Sequence, residues 1–303
     1  MTERYSTLVK ETNIMILIAG ATGTLGYEIC RLLAEGGKEI RSLVRETSDA
    51  EKTGKLKSLG AKITYGDLKN RASLAAACVG VNTVISTVSS TLARQEGDSI
   101  ESVDRQGQLN LIEAAKSAGV SHFIYISFPD TGLSFPLEDA KRSAEDALKG
   151  SGMTYTILQP TDFMEVWLSP ALGFDPANAR ATIYGTGENK LSWISYRDVA
   201  KFSAASVDNP AVRDETIKLG GPEALSHLEV VSVFENVMGK TFTVEHVPEE
   251  SLREQMASAT DALQKSFAGL MLATAGGNII DMDRTARDFQ IELTSVEDYA
   301  RSA

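Results

Sequence analysis

Apolar residues near the start of the chain form two runs separated by a helical pattern. The first run, residues 14–19, contains no polar position, which is typical of a strand that is buried on both faces. Ile29, Leu32 and Leu33 then lie on one face of a helix, and a second apolar run covers residues 40–44. The pattern therefore predicts a strand, a helix and a second strand, which is the order of a nucleotide-binding unit.

A glycine-rich turn joins the first predicted strand to the helix. Gly20 allows a tight turn, Gly23 lets the backbone approach a pyrophosphate, and Gly26 lets the helix pack against the strand. The free amides at the helix N-terminus would face the anion. The expected contacts to a dinucleotide are Gly20, Thr22, Gly23, Thr24, Leu25 and Gly26. The alternative is a glycine-rich loop of an α/β protein that binds no ligand.

The residue at the end of the second apolar run bears on the choice of cofactor. An acidic residue there would accept hydrogen bonds from the adenosine ribose of NAD, but this chain has Arg45, followed by Lys52 and Lys55. A guanidinium can hold a 2′-phosphate through a charged fork. Arg45 therefore favours NADP(H), although the adjacent Glu46 could compete and Arg45 could be only a solvated strand end.

Apolar runs and helical patterns continue to alternate along the first half of the chain. Further predicted strands cover residues 63–65, 81–87, 122–127 and 154–158, with helical patterns between them. Alternating strands and helices with short connections predict an α/β protein with a Rossmann-type, doubly wound parallel sheet.

From Thr161 onwards, the predicted strands and helices become shorter. We therefore divide the chain into an NADP-binding Rossmann core, residues 14–160, and a smaller substrate-binding lobe, residues 161–303. The lobe is expected to be built on the same domain, at the carboxyl edge of the sheet, and not to fold independently.

The carboxyl ends of the strands supply further candidate contacts, because that edge of a doubly wound sheet faces the ligand. Asp67 and Leu68 follow the third predicted strand and are expected beside the adenine. Ser86 and Thr87 end the fourth, where small side chains leave room for a cofactor to cross. Asp67 could also cap the next helix, and small polar residues are common in loops that bind nothing.

Composition narrows the class of protein further. The chain has 303 residues, of which 43% are hydrophobic and 23% charged, as in an ordinary globular protein. Its net charge of −11 argues against a nucleic-acid or anionic-membrane surface, since both require a positive patch. A small anionic cofactor can still bind through local amides and a few cations.

Cysteine, histidine and the N-terminal segment give no sign of a metal site or an export signal. Cys30 and Cys78 lie in apolar helical contexts and are expected to be buried thiols, and the three histidines are far apart. Residues 1–13 are polar, without the apolar segment of a signal peptide, and no run is long enough for a membrane helix. A cytoplasmic location is therefore expected.

These motifs together resemble those of the atypical short-chain dehydrogenase/reductase superfamily, in its NmrA-like and isoflavone-reductase-like branch. The resemblance covers nearly all of the chain from Ile14 onwards and implies the Rossmann fold with NADP(H) as cofactor. The matching segments are Gly20-x-x-Gly23-x-x-Gly26, Leu43-Val44-Arg45, Gly66-Asp67-Leu68, Lys141-x-x-x-Glu145, Thr156-Ile157-Leu158-Gln159-Pro160 and Leu293-Thr294-Ser295-Val296-Glu297-Asp298-Tyr299.

The resemblance also indicates where catalysis would come from. Ordinary members of the superfamily carry a proton-donating tyrosine four residues before a lysine, but Leu137 stands four residues before Lys141. In the isoflavone-reductase-like branch the lysine acts without the tyrosine, holding the nicotinamide ribose and assisting proton transfer, which implies that role for Lys141. Ser127 lies where typical members place a catalytic serine; it could bind a substrate oxygen or only cap the turn that follows. Lys141 could equally form a structural salt bridge with its helix neighbours.

The residues after the sixth predicted strand are expected around the nicotinamide and the substrate. Relatives wrap the nicotinamide with the segment that contains Pro160 and Phe163, although Gln159 departs from the arginine usual in the family. An apolar cleft with few polar groups suits an aromatic or conjugated substrate. The expected substrate contacts are Phe128, Met164, Trp167 and Leu168. Each of these side chains could instead belong to the core.

Two functions remain open from the sequence. The first is an NADPH-dependent reductase of a quinone, enone or phenylpropanoid-like molecule, with hydride from the nicotinamide and Lys141 assisting. The second is a non-catalytic sensor or assembly protein that binds NADP(H) and a protein partner, as some NmrA-like relatives do. With either function, a monomer or a homodimer is expected. An exposed apolar helix at residues 263–272 would favour the second, whereas a closed pocket over the nicotinamide would favour the first.

Overall fold

The structure is a computed structural model that describes residues 14–92 and 94–302. The N-terminal segment, residues 1–13, for which we predict no export signal, lies outside the described residues. The strands are β1 (Met15–Ala19), β2 (Glu39–Val44), β3 (Lys62–Tyr65), β4 (Thr83–Ser86), β5 (His122–Ile126), β6 (Thr154–Pro160), β7 (Phe174–Asp175), β8 (Arg180–Tyr184), β9 (Lys190–Leu191), β10 (Glu215–Leu219), β11 (Leu225–Ser226) and β12 (Thr243–Val247).

Seven of these strands form one parallel sheet in the order β10-β6-β5-β4-β1-β2-β3. β1 lies inside the sheet, where Ile16 is paired with Ile40 of β2 on one side and Thr83 of β4 on the other. Every residue of β1 is buried, as its continuous apolar run predicts. The strand order reverses between β1 and β4, so the Rossmann-type doubly wound sheet predicted from the sequence is confirmed.

Helices cover both faces of the sheet and bury its side chains. They are α1 (Thr24–Glu35), α2 (Ala50–Ser58), α3 (Arg71–Cys78), α4 (Gln106–Ser117), α5 (Pro136–Lys149), α6 (Met164–Trp167), α7 (Tyr196–Ser206), α8 (His227–Met238), α9 (Glu249–Ser258), α10 (Ala262–Gly276), α11 (Asp283–Phe289) and α12 (Val296–Ser302). α1, α2 and α7 contribute to the core on one face, and α3, α4 and α5 to the core on the other.

The apolar pattern of residues 99–118 predicts one long helix, which the structure divides into two parts. A π-helical turn, Ile100–Arg105, precedes α4. The wider turn includes Asp104, which is fully buried and accepts hydrogen bonds from the amide and hydroxyl of Ser90 at 3.0 and 2.5 Å. A regular apolar period cannot reveal such an insertion, because the contact that accompanies it is made to a distant loop.

The C-terminal part of the chain contributes both to the main sheet and to a second layer. β10 pairs with β6 and so extends the seven-stranded sheet, while β12-β8-β7 and β11-β9 form two small sheets. Trp193, Phe174 and Phe234 belong to a separate apolar cluster that includes residues of α8 and α12. The division at residue 160 stays a prediction, and one strand of the main sheet comes from beyond it.

α10 is apolar and lies against α5, α9 and β8. Gly269 allows the close approach to α5, because a Cβ atom there would lie 2.4 Å from the Phe135 ring. Ser266 Oγ accepts a hydrogen bond from the Leu137 amide at the start of α5, at 3.1 Å. Much of α10 is therefore covered by the protein's own helices.

Other structural features bear on the expectations from composition. Cys30 and Cys78 are free, buried thiols, as predicted. Among residues 14–92 and 94–302, no group of histidine, cysteine, aspartate and glutamate side chains has the arrangement of a metal site. No helix in the same part of the chain combines the length and the apolar character needed to cross a bilayer.

Candidate functional site

A large cleft lies at the carboxyl ends of the central strands, where the strand order reverses. Its volume is about 690 Å³, within the range of small-molecule sites. The segments that follow β1, β2, β3, β4, β5 and β6 all line it, and α10 contributes Phe267, Leu270, Ala273 and Thr274. The structure thus brings the glycine turn and the apolar residues of the lobe to one continuous site.

The glycine turn has the geometry of a phosphate-binding loop. Gly20 has a φ angle of +88°, and its carbonyl oxygen accepts a hydrogen bond from the Gly23 amide at 2.9 Å. A Cβ atom on Gly26 would lie 2.2 Å from the same oxygen, so the helix can approach the strand only with glycine there. Gly23 begins α1 without a side chain to cap it, which leaves the first amides of the helix available to an anion.

All six predicted residues of the turn line the cleft: Gly20, Thr22, Gly23, Thr24, Leu25 and Gly26. Gly23 is the position where a side chain would meet a ligand first. Its φ and ψ angles are −80° and 163°, and a Cβ atom would have only one close neighbour, the Gly20 carbonyl oxygen at 3.2 Å. The turn therefore fits a dinucleotide pyrophosphate.

Arg45 lines the cleft together with Ser48 and Lys52. Its Nη1 donates to Oδ2 of Asp98 at 2.7 Å, while Nε and Nη2 have no hydrogen-bond partner among residues 14–92 and 94–302. The Asp98 side chain is only 1% exposed and also accepts from Lys69 Nζ at 2.5 Å. Burial alone would raise the pKa of Asp98, but the bonds from Lys69, the Gln95 amide and Arg45 hold it below its ordinary value. Arg45 is thus fixed in place, and its Nε and Nη2 remain available to donate hydrogen bonds to a phosphate.

The predicted contacts after β3 and β4 are only partly brought to the cleft. Asp67, Leu68 and Thr87 line it. Ser86 does not: its side chain is fully buried and donates to Gln108 Oε1 at 2.9 Å, so the prediction of a cofactor contact there is corrected. Asn70 caps α3 by accepting from the Ser73 amide, which leaves Asp67 without the capping role considered above.

Lys141 lies at the wall of the cleft next to the end of β5. Its side chain is 6% exposed, its Nζ donates to the Ile126 carbonyl oxygen at 3.0 Å, and it lies 4.9 Å from the Tyr125 ring centroid. It makes no ion pair within the described part of the chain, because Arg142 takes the carboxylates of Glu138 and Glu145. The salt-bridge alternative for Lys141 is therefore not observed.

The electrostatic surroundings of Lys141 favour a shifted acid–base equilibrium. Burial, as the main cause, lowers the pKa of Lys141, and the nearby Arg142 lowers it as well, while Asp104 and Glu145 oppose this. Ser127 also lines the cleft, where its Oγ accepts from Arg142 Nη2 at 3.1 Å. Both predicted catalytic residues are thus on the cleft, and Ser127 is held by a cation.

The apolar side of the cleft differs in part from the prediction. Phe128, Pro160, Phe163 and Trp167 line it as expected. Met164 and Leu168 do not: they are 0% and 3% exposed and belong to the core of the C-terminal lobe, so their assignment as substrate contacts is corrected. In the short helix α6 the cleft is lined instead by the residues between them, Glu165, Val166 and Trp167.

Several cleft residues were not identified as site residues from the sequence. They are Ser48, Asp98, Asp162, Phe267, Leu270, Ala273 and Thr274. The apolar character of residues 263–272 marked a helix but not the direction in which it faces. Since this helix contributes to the cleft wall and packs on α5 and α9, it is not the exposed apolar surface considered above.

Comparison with known proteins shows which proteins this chain is similar to. The chain is 32% identical over 240 residues to the Photosystem II assembly factor Ycf39 of Trieres chinensis, covering 77% of this chain and 72% of that protein. It is 33% identical over 301 residues to the phenylcoumaran benzylic ether reductase IRL1 of Ginkgo biloba, covering 93% of this chain and 92% of that protein.

Among solved structures, the NADPH-dependent quinone oxidoreductase QOR2 of Escherichia coli complexed with NADPH has a TM-score of 0.78. The sequence identity is 23%, over 95% of this chain and 99% of that one, so this likeness concerns the fold. The NmrA-like family matches residues 12–300. A match of that extent, together with relatives above 30% identity, shows that the chain belongs to the NmrA-like family.

Proposed function

We propose that this chain is an NADPH-dependent reductase of a small hydrophobic molecule that is aromatic or conjugated: a quinone, an enone or a phenylpropanoid-like compound. The observation that carries the proposal is the single cleft, which is lined at once by a phosphate-binding turn, by Arg45, by Lys141 and by the apolar residues of α6 and α10. A ligand of the apolar part and a dinucleotide would therefore share one site.

Two kinds of group in the cleft would bind the cofactor: backbone amides and cationic side chains. The amides at the start of α1 would hold the pyrophosphate, and Arg45 with Lys52 would hold the 2′-phosphate. Bound NADPH supplies a hydride to the substrate. Phe163, Trp167 and Leu270 exclude water from that region, which strengthens every charge interaction within it.

Lys141 is the residue that we assign to the reaction. Lys141 would hold the nicotinamide ribose, and its Nζ would supply a positive charge to the oxygen that becomes negative when the substrate is reduced. Because burial lowers the pKa of Lys141, Nζ can also give a proton to that oxygen more readily than an exposed lysine. Leu137, in the place of the usual tyrosine, has no proton to give.

NADPH should bind more tightly than NADH, and Arg45→Ala should remove most of the difference. Loss of a charge-assisted contact to phosphate is worth about 1.5–3 kcal/mol, or about 10- to 100-fold in affinity. The measurement is a fluorescence titration of both cofactors on both proteins. Arg41→Ala is the matched control, because Arg41 lies on the same strand but bonds to the Ala77 and Val79 carbonyls. Equal affinities of the wild-type protein for the two cofactors would contradict the assignment.

The second candidate function is a non-catalytic NADP(H)-binding assembly or sensor protein. It is favoured by the likeness to the assembly factor Ycf39 and by the absent tyrosine. The packing of α10 against α5 and α9 argues against it, since apolar side chains of this helix that remain accessible line the cleft.

NADPH oxidation by the purified protein separates the two functions. The protein is mixed with NADPH and a panel of quinones, enones and phenylpropanoids, and the loss of NADPH absorbance is followed. Reduction of at least one compound supports the reductase. Tight NADPH binding without reduction of any compound would move the assembly or sensor function ahead.

A further inference from the structure

Asp162 is an acidic side chain on the apolar side of the cleft, and neither the glycine turn nor Lys141 accounts for it. It lies two residues after the end of β6, in a connection that is fixed on both sides. The preceding Thr161 donates its amide to the Leu219 carbonyl oxygen at 2.8 Å, and the Asp162 carbonyl oxygen accepts from the Ile194 amide at 3.1 Å. The backbone thus holds the carboxyl group at the cleft between the main sheet and the lobe.

One oxygen of the carboxyl group is engaged and the other is not. Oδ2 accepts a hydrogen bond from Thr274 Oγ1 of α10 at 2.8 Å. Oδ1 has no partner among residues 14–92 and 94–302, although Asp162 lines the cleft. The same cleft is also lined by apolar side chains, among them Phe163, Trp167 and Leu270. A carboxyl group is therefore positioned in apolar surroundings with one oxygen free for a ligand.

Among residues 14–92 and 94–302, Asp162 forms no ion pair, and burial and the Thr274 hydroxyl are the main influences on its carboxyl group. Glu165, the nearest acid along the chain, is occupied by the Ser195 hydroxyl and the Tyr196 amide, at 2.5 and 3.1 Å. The one titratable residue of α10, Lys265, is nine positions from Thr274. Lys141, Glu165 and Tyr196 are the titratable side chains of the surrounding elements α5, α6 and α7 that line the same cleft.

Burial is the main cause that raises the pKa of Asp162, to about 7, and the hydrogen bond from Thr274 opposes it. Below that value the group is a neutral carboxylic acid that can donate a proton in a hydrogen bond. Above it the group is a carboxylate, which can only accept.

We propose that Asp162 is the residue that recognises the substrate: as a neutral acid, it donates a hydrogen bond from Oδ1 to a carbonyl or similar acceptor oxygen on an otherwise apolar ligand. The inference rests on the proposed reductase and names its substrate class more closely. Neutral compounds with an acceptor oxygen fit the site, whereas compounds whose only polar group is a carboxylate or a donor do not. Thr274 positions the acid by holding its other oxygen.

The test is the binding of duroquinone, a neutral and fully methylated quinone, to the protein saturated with NADP⁺. Because the oxidised cofactor cannot reduce the quinone, binding is measured apart from any activity, through quenching of tryptophan fluorescence by ligand near Trp167. Affinity should fall by about 10-fold as the pH rises through the pKa of Asp162 in this complex, since ionisation removes the donor. Asp162→Asn should bind duroquinone at every pH, because its amide still donates, and should lose the pH dependence.

Thr274→Val provides a second measurement, the midpoint of the pH profile of binding, which would not change if Asp162 had only a structural role. Removing the hydroxyl takes away the bond that lowers the pKa of Asp162, so the midpoint of the binding profile should move to higher pH. Asp208→Asn is the matched control, because Asp208 pairs with Lys38 at the surface and does not line the cleft. Its profile should coincide with that of the wild-type protein.

The proposal is overturned if wild-type protein fails to bind duroquinone, if its affinity does not change with pH, or if Asp162→Asn keeps the wild-type profile. A different set of results is expected if only the proposed reductase function is wrong. In that case duroquinone binds with the expected pH dependence, but NADPH is not oxidised.

Discussion

Replacement of Lys141 by alanine should lower kcat for quinone or enone reduction by about 100-fold or more, the usual contribution of an acid–base group. The ammonium group lies at the cleft wall, and the adjacent Arg142 is engaged by Glu138 and Glu145 and is not free to take over. NADPH affinity should fall much less, because the glycine turn and Arg45 supply most of the binding contacts. Steady-state kinetics and a cofactor titration on the same preparation measure the two effects.

Lys149→Ala is the matched control for this experiment. Lys149 belongs to the same helix, but its side chain is 41% exposed and does not line the cleft. Its kcat should equal that of the wild-type protein. Parallel losses of affinity and kcat in Lys141→Ala would mean that the lysine only holds the ribose, and an unchanged kcat would remove it from the reaction.

Gly23→Val should abolish detectable NADPH binding, which corresponds to a loss of at least about 100-fold, while the protein stays folded. The φ angle of Gly23 is −80° and its backbone is extended, a conformation that valine adopts readily. The added Cβ atom would lie 3.2 Å from the Gly20 carbonyl oxygen, which a shift of a few tenths of an ångström relieves. The side chain would then occupy the space through which the pyrophosphate approaches the amides of α1. Calorimetric titration measures the binding, and circular dichroism verifies the fold.

A second glycine-to-valine substitution provides the control for Gly23→Val. Gly54 lies within α2, away from the cleft, and a Cβ atom there would meet no other atom within 4 Å. Gly54→Val should bind NADPH as the wild-type protein does. Normal NADPH affinity in a folded Gly23→Val protein would place the phosphate site elsewhere.

The fold could be predicted from the sequence because the information is local. The apolar run in β1, the glycines after it and the helical period of α1 each determine a neighbouring piece of backbone, and parallel sheets with helical crossovers admit few arrangements. The position of β10 in the main sheet could not be predicted in this way. Its short run was identified as a strand, but its pairing with β6 depends on contacts between distant parts of the chain.

The site could be predicted only where a motif specifies it. The glycine turn, Arg45 and Lys141 follow from motifs. Asp98 and Thr274 instead reach the cleft through hydrogen bonds to residues that lie 53 and 112 positions away in the sequence. Met164 and Leu168 show the opposite failure. In a short helix, residues two positions apart face different directions, so an apolar residue next to the cleft can belong to the core.

The ion pair between Arg45 and Asp98 has a consequence for the entropy of cofactor binding. A free arginine side chain loses up to about 2 kcal/mol of rotamer freedom when it is fixed. Here Asp98, itself held by Lys69 and the Gln95 amide, already fixes the guanidinium in the cofactor-free protein. That entropy is lost on folding and is not lost again when a phosphate arrives, so the site is preorganised. The Asp98 carboxylate also offsets part of the positive charge of Arg45. The phosphate is therefore attracted less strongly, but it meets a guanidinium that is already in position.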